Sequence, residues 1–158
     1  MADSRSFQQR LYPDLRCFGC GPANEKGLRI NSFPTSDRSM VADWIAGPEH
    51  QAGGPWICGG VLGTILDCHT ACTVIHTLMM RDPTLATPPV LFTKEYTIRF
   101  RNPTPLGPVR VTATVTDLRQ RSASAQATVE SDGRVCVEFT GIFVLPQPAE
   151  VVAGQAIE

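Results

Sequence analysis

One carboxylate lies inside a long apolar stretch of this sequence. Asp67 is the only acidic residue between Gly59 and Arg81, and most of its neighbours are apolar. A buried carboxylate is costly without a partner, so it is usually held by a nearby polar group, such as Thr64, or used in chemistry. Apolar surroundings would also raise its pKa toward the working pH of an enzyme. Asp67 is therefore a candidate general base or nucleophile.

The same stretch opens on two glycines. Gly59 and Gly60 follow Cys58 at the predicted first turn of a helix, where backbone N–H groups have no intrahelical partner and the helix dipole adds partial positive charge. Glycine also lets another molecule approach the backbone closely. These N–H groups could polarise a carbonyl oxygen, although close packing or a tight turn would also explain the glycines.

The spacing of these groups predicts an oligomer. Gly60 and Asp67 are two helical turns apart, so they share one side of the helix but lie about 10 Å apart along its axis. A single carbonyl group under attack cannot contact both the backbone N–H group and the carboxylate of one helix. If both act on one carbonyl, the N–H group must come from a second helix packed antiparallel across a two-fold axis. We therefore expect at least a dimer with two equivalent sites.

The hydrophobic pattern predicts the elements that position these groups. We expect a hairpin of two strands around a turn at residues 34–37, then one long buried helix, then four strands in a meander. The predicted strands cover residues 27–33, 39–46, 92–101, 109–115, 122–130 and 135–145, and the predicted helix covers residues 59–80. The fold class is α+β, with an irregular arm at residues 1–26, one domain at residues 27–146 and a flexible tail at residues 147–158.

Composition excludes several classes of protein. The chain has 158 residues, with 14 Lys and Arg against 15 Asp and Glu, and this near-neutral charge argues against a nucleic-acid partner. We find no leader or membrane-spanning pattern, so we expect a cytoplasmic protein with reduced cysteines and no membrane partner. Cys17 and Cys20 form a C-x-x-C pair without a second such pair or a histidine pair. We interpret them as buried or turn-forming residues and expect no metal and no cofactor.

Four motifs stand out along the sequence: CFGCGP from residue 17, GLRI from residue 27, the Gly-Gly-x6-Asp segment that ends at Asp67, and FRNPTPLG from residue 100. Together they resemble the hotdog-fold thioesterase superfamily, in particular its phenylacetic-acid-degradation-protein (PaaI-like) branch. The resemblance spans residues 17–145. It implies a long central helix wrapped by a six-stranded antiparallel sheet, in a homodimer or a dimer of dimers. It also implies hydrolysis of an acyl-coenzyme A substrate to free acid and coenzyme A at the dimer interface.

The resemblance also implies roles for individual residues. Asp67 matches the catalytic carboxylate, Gly59 the backbone donor, and Thr93 a residue that orients water. Gln51 takes the place of a residue that holds water or substrate, since Ala52 stands at the usual position. The implied catalytic residues are Asp67, Gly59, Thr93 and Gln51, and the implied substrate-binding residues are Cys58, Gly60, His50, Arg99 and Arg101.

Two other functions remain open at this point. Cys58 stands where the family has histidine, and together with Ala52 it is compatible with a hotdog module that binds an acyl-coenzyme A ligand without catalysis. An enoyl-coenzyme A hydratase or dehydratase is the other alternative, and it would require a histidine placed beside the aspartate. His69 does not meet this requirement, because it points about 200° around the helix from Asp67.

Overall fold

The computed structural model describes residues 4–146, so the tail predicted at residues 147–158 lies outside the described residues. Two helices, one 3-10 turn at Pro48–His50 and six strands follow one another in this part of the chain. The helices are α1 (Phe7–Leu11) and α2 (Gly59–Arg81). The strands are β1 (Phe33–Ser36), β2 (Ser39–Ala46), β3 (Phe92–Phe100), β4 (Gly107–Leu118), β5 (Ser122–Ser131) and β6 (Arg134–Val144).

The central element is α2, which begins and ends within one residue of its predicted bounds. It ends at Arg81 because Pro83 restricts the backbone of Asp82. Leu66 and Val74 are fully buried on this helix. Length and composition alone would allow α2 to cross a membrane, but 67% of its most apolar stretch is buried inside the protein. It is therefore the core helix around which the strands pack.

The described strands form one antiparallel sheet around α2. Their order is β1-β2-β4-β5-β6-β3, and the apolar residues of β2, β4, β5 and β6 that face α2 are buried. Alternation of buried and exposed residues along these strands places one face on the helix and the other in solvent. The arrangement confirms the predicted α+β class and is the hotdog fold that the resemblance implied.

The position of β3 differs from the prediction. β4, β5 and β6 form a meander, but β3 pairs with β6 and occupies an edge of the sheet, so the predicted four-strand meander is wrong. Pro103 and Pro105 follow β3, and proline cannot donate the backbone hydrogen bonds of a tight hairpin. The connection instead runs past the loop before α2, where Trp56 pairs with Pro105, and brings β4 beside β2.

The predicted strand at residues 27–33 is also wrong. Leu28 and Ile30 are buried as the alternation requires, but their backbone N–H groups donate to Phe18 and Gly19 at 2.7 and 3.1 Å rather than to a strand. Arg29 between them has a φ of 52°, which interrupts the extended backbone. The first strand instead begins at Phe33, the last residue of the predicted strand, continues through the predicted turn to Ser36, and still forms a hairpin with β2.

The described part of the arm, residues 4–26, contains one regular element that the prediction missed. Ser6 caps α1: its hydroxyl accepts a hydrogen bond from the Gln9 backbone, while the Gln9 side chain accepts one from the Ser6 backbone. This is a capping box, and the Ser-x-x-Gln spacing was visible in the sequence. Phe7 is buried, so α1 adds to the core.

Candidate active site

The structure brings Asp67 and Thr93 together. Asp67 is half-buried on α2, and the hydroxyl of Thr93 on β3 donates a hydrogen bond of 2.8 Å to its Oδ1 atom. Burial raises the pKa of Asp67 above its ordinary value of 3.8, and the Thr93 hydrogen bond partly offsets this increase by stabilising the charged form. Asp67 is therefore a carboxylate that is oriented by a hydrogen bond and that binds a proton more readily than a solvent-exposed carboxylate does.

The course of β3 explains why Thr93 faces the helix. The pairing of β3 with β6 shifts register between Thr93 and Glu95, as at a β-bulge, which re-aims the side chains on either side of it. Beyond the shift, Ile98 packs toward α2, where a Cβ on Gly63 would lie 3.4 Å from its Cδ1 atom. Phe100 then reaches the start of α2. One strand therefore runs along the helix from Asp67 to Gly59.

The start of α2 forms the second part of the candidate site. Gly59 is the first helical residue, and Cys58 before it caps the helix without a side-chain hydrogen bond. A Cβ on Gly59 would lie 3.3 Å from the Phe100 ring, so a side chain here would press on that aromatic residue. The neighbouring Gly60 is exposed. The backbone at this helix start is thus open to a group approaching from outside.

An apolar groove of about 430 Å³ lies beside the helix start. Its lining includes Trp56, Ile57, Gly59, Leu62 and Phe100. Sequence analysis did not single out Trp56, Leu62 or Phe100 as site residues, because Phe100 follows the apolar alternation of its strand and Leu62 resembles any buried helix residue. A tryptophan in a loop rich in glycine and proline was the one available signal.

The loop before α2 is held by its own polar contacts. The Nδ1 atom of His50 accepts a hydrogen bond from the Gly47 backbone at 2.9 Å, and its ring packs against Trp44 at a centroid distance of 4.7 Å. The His50 carbonyl accepts a bond from the Cys58 backbone at 2.8 Å. The Gln51 backbone pairs with Ile57, and its side chain is exposed. His50 therefore shapes the loop, and Gln51 is available to a ligand near the helix start.

The structure does not bring Arg99 and Arg101 to the carboxylate. Side chains alternate along β3, so Arg99 lies on the opposite face from Ile98, away from α2. Arg101 pairs with Glu138 through its Nε and terminal nitrogen atoms, at 2.9 and 2.7 Å. Both arginines are exposed on the outer side of the sheet, and we leave them out of the proposed site.

The three histidines of the chain have partners other than Asp67. His69 is fully buried: its Nε2 atom donates to the Met40 carbonyl at 3.2 Å, and its Nδ1 atom accepts from the Ser32 hydroxyl at 2.8 Å. Burial lowers the pKa of His69 to about 4, so the ring is neutral. His76 bonds to the Ser36 carbonyl at 3.0 Å. With His50 in its loop, none of the three is placed to act with Asp67.

Comparison with known proteins links this geometry to one family. The sequence model of the thioesterase superfamily matches residues 57–138, which is more than half of the chain. A search of curated protein sequences finds no match.

Solved structures share the fold at low sequence identity. A phenylacetic acid degradation-related protein of Ralstonia eutropha JMP134 has a TM-score of 0.68 at 20% identity, over 89% of this chain and 100% of that one. The E. coli PaaI protein, from the phenylacetic acid degradation operon, has a TM-score of 0.65 at 16% identity, over 76% and 81%. A thioesterase of Haemophilus influenzae has a TM-score of 0.65 at 12% identity, over 76% and 80%.

Proposed function

The chain belongs to the thioesterase superfamily, as its motifs indicated, and on that premise we propose that it hydrolyses an acyl-coenzyme A thioester to a free acid and coenzyme A. The observation that carries the proposal is the state of Asp67. This carboxylate is half-buried on an apolar helix, held by the Thr93 hydroxyl, and has a raised pKa. A carboxylate in this state can accept a proton from water or attack a thioester carbonyl directly.

We further propose that each site is shared between two copies of the chain. Within one chain, Gly59 and Asp67 are separated by roughly 12 Å along α2, too far to act on one carbonyl. Strand β3 links the two groups, because Thr93 at one end contacts Asp67 and Phe100 at the other end contacts Gly59. Antiparallel pairing of β3 with β3 of a second copy would set Asp67 of one chain against Gly59 of the other.

The exposure of β3 supports this pairing. β3 is an edge strand of the described sheet, and all but one of its nine residues are exposed. Phe92, Tyr96 and Phe100 are exposed by 52%, 49% and 57%. A long edge strand with exposed aromatic side chains tends to pair with another strand, and a two-fold dimer satisfies this tendency without open-ended aggregation.

The proposed reaction follows from this arrangement. The Gly59 N–H of one chain donates to the thioester oxygen and stabilises the negative charge that develops on it. Asp67 of the other chain removes a proton from water as the water oxygen bonds to the carbonyl carbon. The tetrahedral intermediate then expels the coenzyme A thiolate, which takes up the proton from Asp67. In the alternative route Asp67 itself attacks the carbonyl and displaces the coenzyme A thiolate, which leaves an anhydride between Asp67 and the acyl group. Water then hydrolyses this anhydride to the free acid and Asp67, and the proton left on Asp67 passes to the thiolate.

The positions of the histidines favour hydrolysis over the hydratase alternative. Hydration of an enoyl thioester by a hotdog enzyme would use a histidine next to the aspartate, and the three histidines here are engaged elsewhere. A non-catalytic module remains the competing function. It would bind the same ligand in the same groove without breaking the thioester bond.

A panel of acyl-coenzyme A esters tests the proposed function. We expect release of free thiol, detected with a thiol reagent, from at least one of short, long and aryl-acetyl esters, at a rate that requires Asp67. Binding measured by calorimetry without thiol release would assign the chain as a binding module. Loss of the enoyl chromophore from a trans-enoyl ester would assign it as a hydratase.

Replacing Thr93 with valine should move the pH dependence of hydrolysis. The hydroxyl lowers the pKa of Asp67, so its loss should raise that pKa further and shift the acid limb of kcat/KM to higher pH. The plateau rate should fall by about tenfold or less, because Thr93 is exposed and its bond is partly screened. Thr93→Ser keeps a hydroxyl and is the matched control. An acid limb that stays in place in Thr93→Val would contradict the role of this bond.

A further inference from the structure

Three cysteine sulfurs from distant parts of the chain meet on one side of α2. The Sγ atoms of Cys17, Cys20 and Cys68 all lie within 4.8 Å of one another, and those of Cys17 and Cys68 are 3.6 Å apart. Gly19 makes this approach possible, because a Cβ at its position would clash with the Cys68 sulfur. The arm and the helix are thus in close contact at this point.

We propose that these three cysteines, with Cys72 as the fourth ligand, form a structural zinc site. Four-coordinate thiolate sites are typical of structural Zn²⁺, and a Zn–S distance of about 2.3 Å in tetrahedral geometry separates the sulfurs by about 3.8 Å. The Cys17–Cys68 separation of 3.6 Å is close to that value. It is far longer than the ~2.0 Å of a disulfide bond.

Cys72 is placed to complete the set. It lies one helical turn after Cys68, on the same side of α2, and is buried. Its side chain interacts with that of Cys20, and it accepts a weak hydrogen bond of 3.4 Å from Gln8 Nε2. Rotation about its Cα–Cβ bond would exchange this weak bond for the metal. The C-x-x-C pair of the arm then faces a C-x3-C pair on the helix, a pairing that sequence analysis did not recognise.

The turn around Cys17 has the features of a metal-binding turn. The backbone N–H groups of Gly19 and Cys20 lie where they favour the charged form of the Cys17 thiol and so act to lower its pKa. The Gly21 N–H donates to the Cys17 carbonyl at 2.9 Å and closes the turn. Donors of this kind stabilise the negative charge that a thiolate ligand retains on a metal, and they orient it before the metal binds.

The proposed site is separate from the chemistry of Asp67. Cys68 follows Asp67 directly, but consecutive residues point about 100° apart around a helix, so the sulfur cluster opens on a different side of α2. All four ligands come from the protein, which leaves no open position for a substrate. The zinc ion would fasten the arm to the helix turn that carries Asp67, and its binding would release the thiol protons.

Metal content of the full chain tests the proposal. Protein purified from zinc-supplemented cells without chelator should contain about one zinc ion per chain, released by a mercurial thiol reagent and counted with a colorimetric indicator. The double variant Cys17→Ser/Cys20→Ser and the single variant Cys72→Ser should lose this zinc. Cys136→Ser is the matched control, since Cys136 is a buried cysteine on β6 outside the cluster, and it should keep the zinc.

A second measurement needs no variant. Wild-type protein stripped of metal and loaded with Co²⁺ alone should show intense thiolate-to-cobalt charge-transfer bands together with the strong d–d bands of tetrahedral coordination. Wild-type zinc content no higher than that of Cys17→Ser/Cys20→Ser would overturn the proposal. So would a disulfide between the arm and α2 in the intact mass, or an iron–sulfur absorption spectrum in the purified protein.

Discussion

Replacing Asp67 with asparagine should lower kcat for thioester hydrolysis by roughly 10²- to 10⁴-fold, the range expected for loss of a general base. Asparagine has the shape of aspartate, and its carbonyl oxygen can still accept the hydrogen bond from the Thr93 hydroxyl. It can neither remove a proton from water at a useful rate nor attack a thioester. The loss should therefore appear in kcat rather than in KM, because the groove that binds the substrate is unchanged.

The same variant should be at least as stable as the wild type at neutral pH. Burial raises the pKa of Asp67, so the folded protein bears a cost for the ionised carboxylate that the unfolded chain does not. That cost is present above the raised pKa and disappears as pH falls below the ordinary value of 3.8. Asp67→Asn should thus raise the midpoint of thermal unfolding at pH 7, and the gain should vanish at low pH.

The test is decisive because Asp67→Asn is expected to lose activity while it keeps or gains stability. A destabilised, inactive variant would be uninformative, whereas a stabilised, inactive one assigns chemistry to the carboxylate. Near-full turnover by folded Asp67→Asn would exclude the proposed role. After a single turnover of the wild type in ¹⁸O-labelled water, label in the Asp67 side chain identifies the nucleophilic route, in which water attacks the Asp67 carbonyl of the anhydride.

The local sequence pattern predicted which segments form helices and strands more reliably than it predicted which strands pair with one another. The bounds of α2 and β2 were evident because a long apolar run and a strict alternation each fit one element. The partner of β3 was not evident, because alternation assigns side chains to faces and does not say which strand lies alongside. Phe100 illustrates the consequence: it follows an apolar alternation that is typical of core residues, yet it lies exposed at the edge of the sheet.

The same distinction applies to the candidate site: some of its residues were evident from the local sequence, and others depend on contacts that form only in the fold. Asp67 could be singled out from its apolar surroundings, and Gly59 from its position before a helix. The contact of Thr93 with Asp67 depends on a register shift that the sequence does not reveal, and only the resemblance suggested that residue. The sulfur cluster was missed because Cys17 and Cys68 belong to segments 51 residues apart that meet only in the fold.

Replacing Gly59 with proline should lower kcat by roughly 10²- to 10³-fold, the effect of removing one backbone donor from an oxyanion site. Proline has no N–H group, and it is favoured at the first position of a helix, where that group lacks an intrahelical partner. Cys58 already has a φ of −57° and a ψ of 131°, which suits a residue before proline. Gly59→Ala is the matched control: it adds a Cβ against Phe100 but keeps the N–H group, so it should lose much less activity.

Combining the two variants tests whether each site is shared between chains. In a heterodimer of Asp67→Asn and Gly59→Pro subunits, one of the two shared sites contains both defects and the other contains neither. Differently tagged subunits, co-expressed and purified through both tags, should therefore recover about half of the wild-type activity per dimer. Each variant alone should stay inactive. A heterodimer as inactive as its parents, or a protein that elutes as a monomer in size-exclusion chromatography, would place the whole reaction within one chain and contradict the shared site.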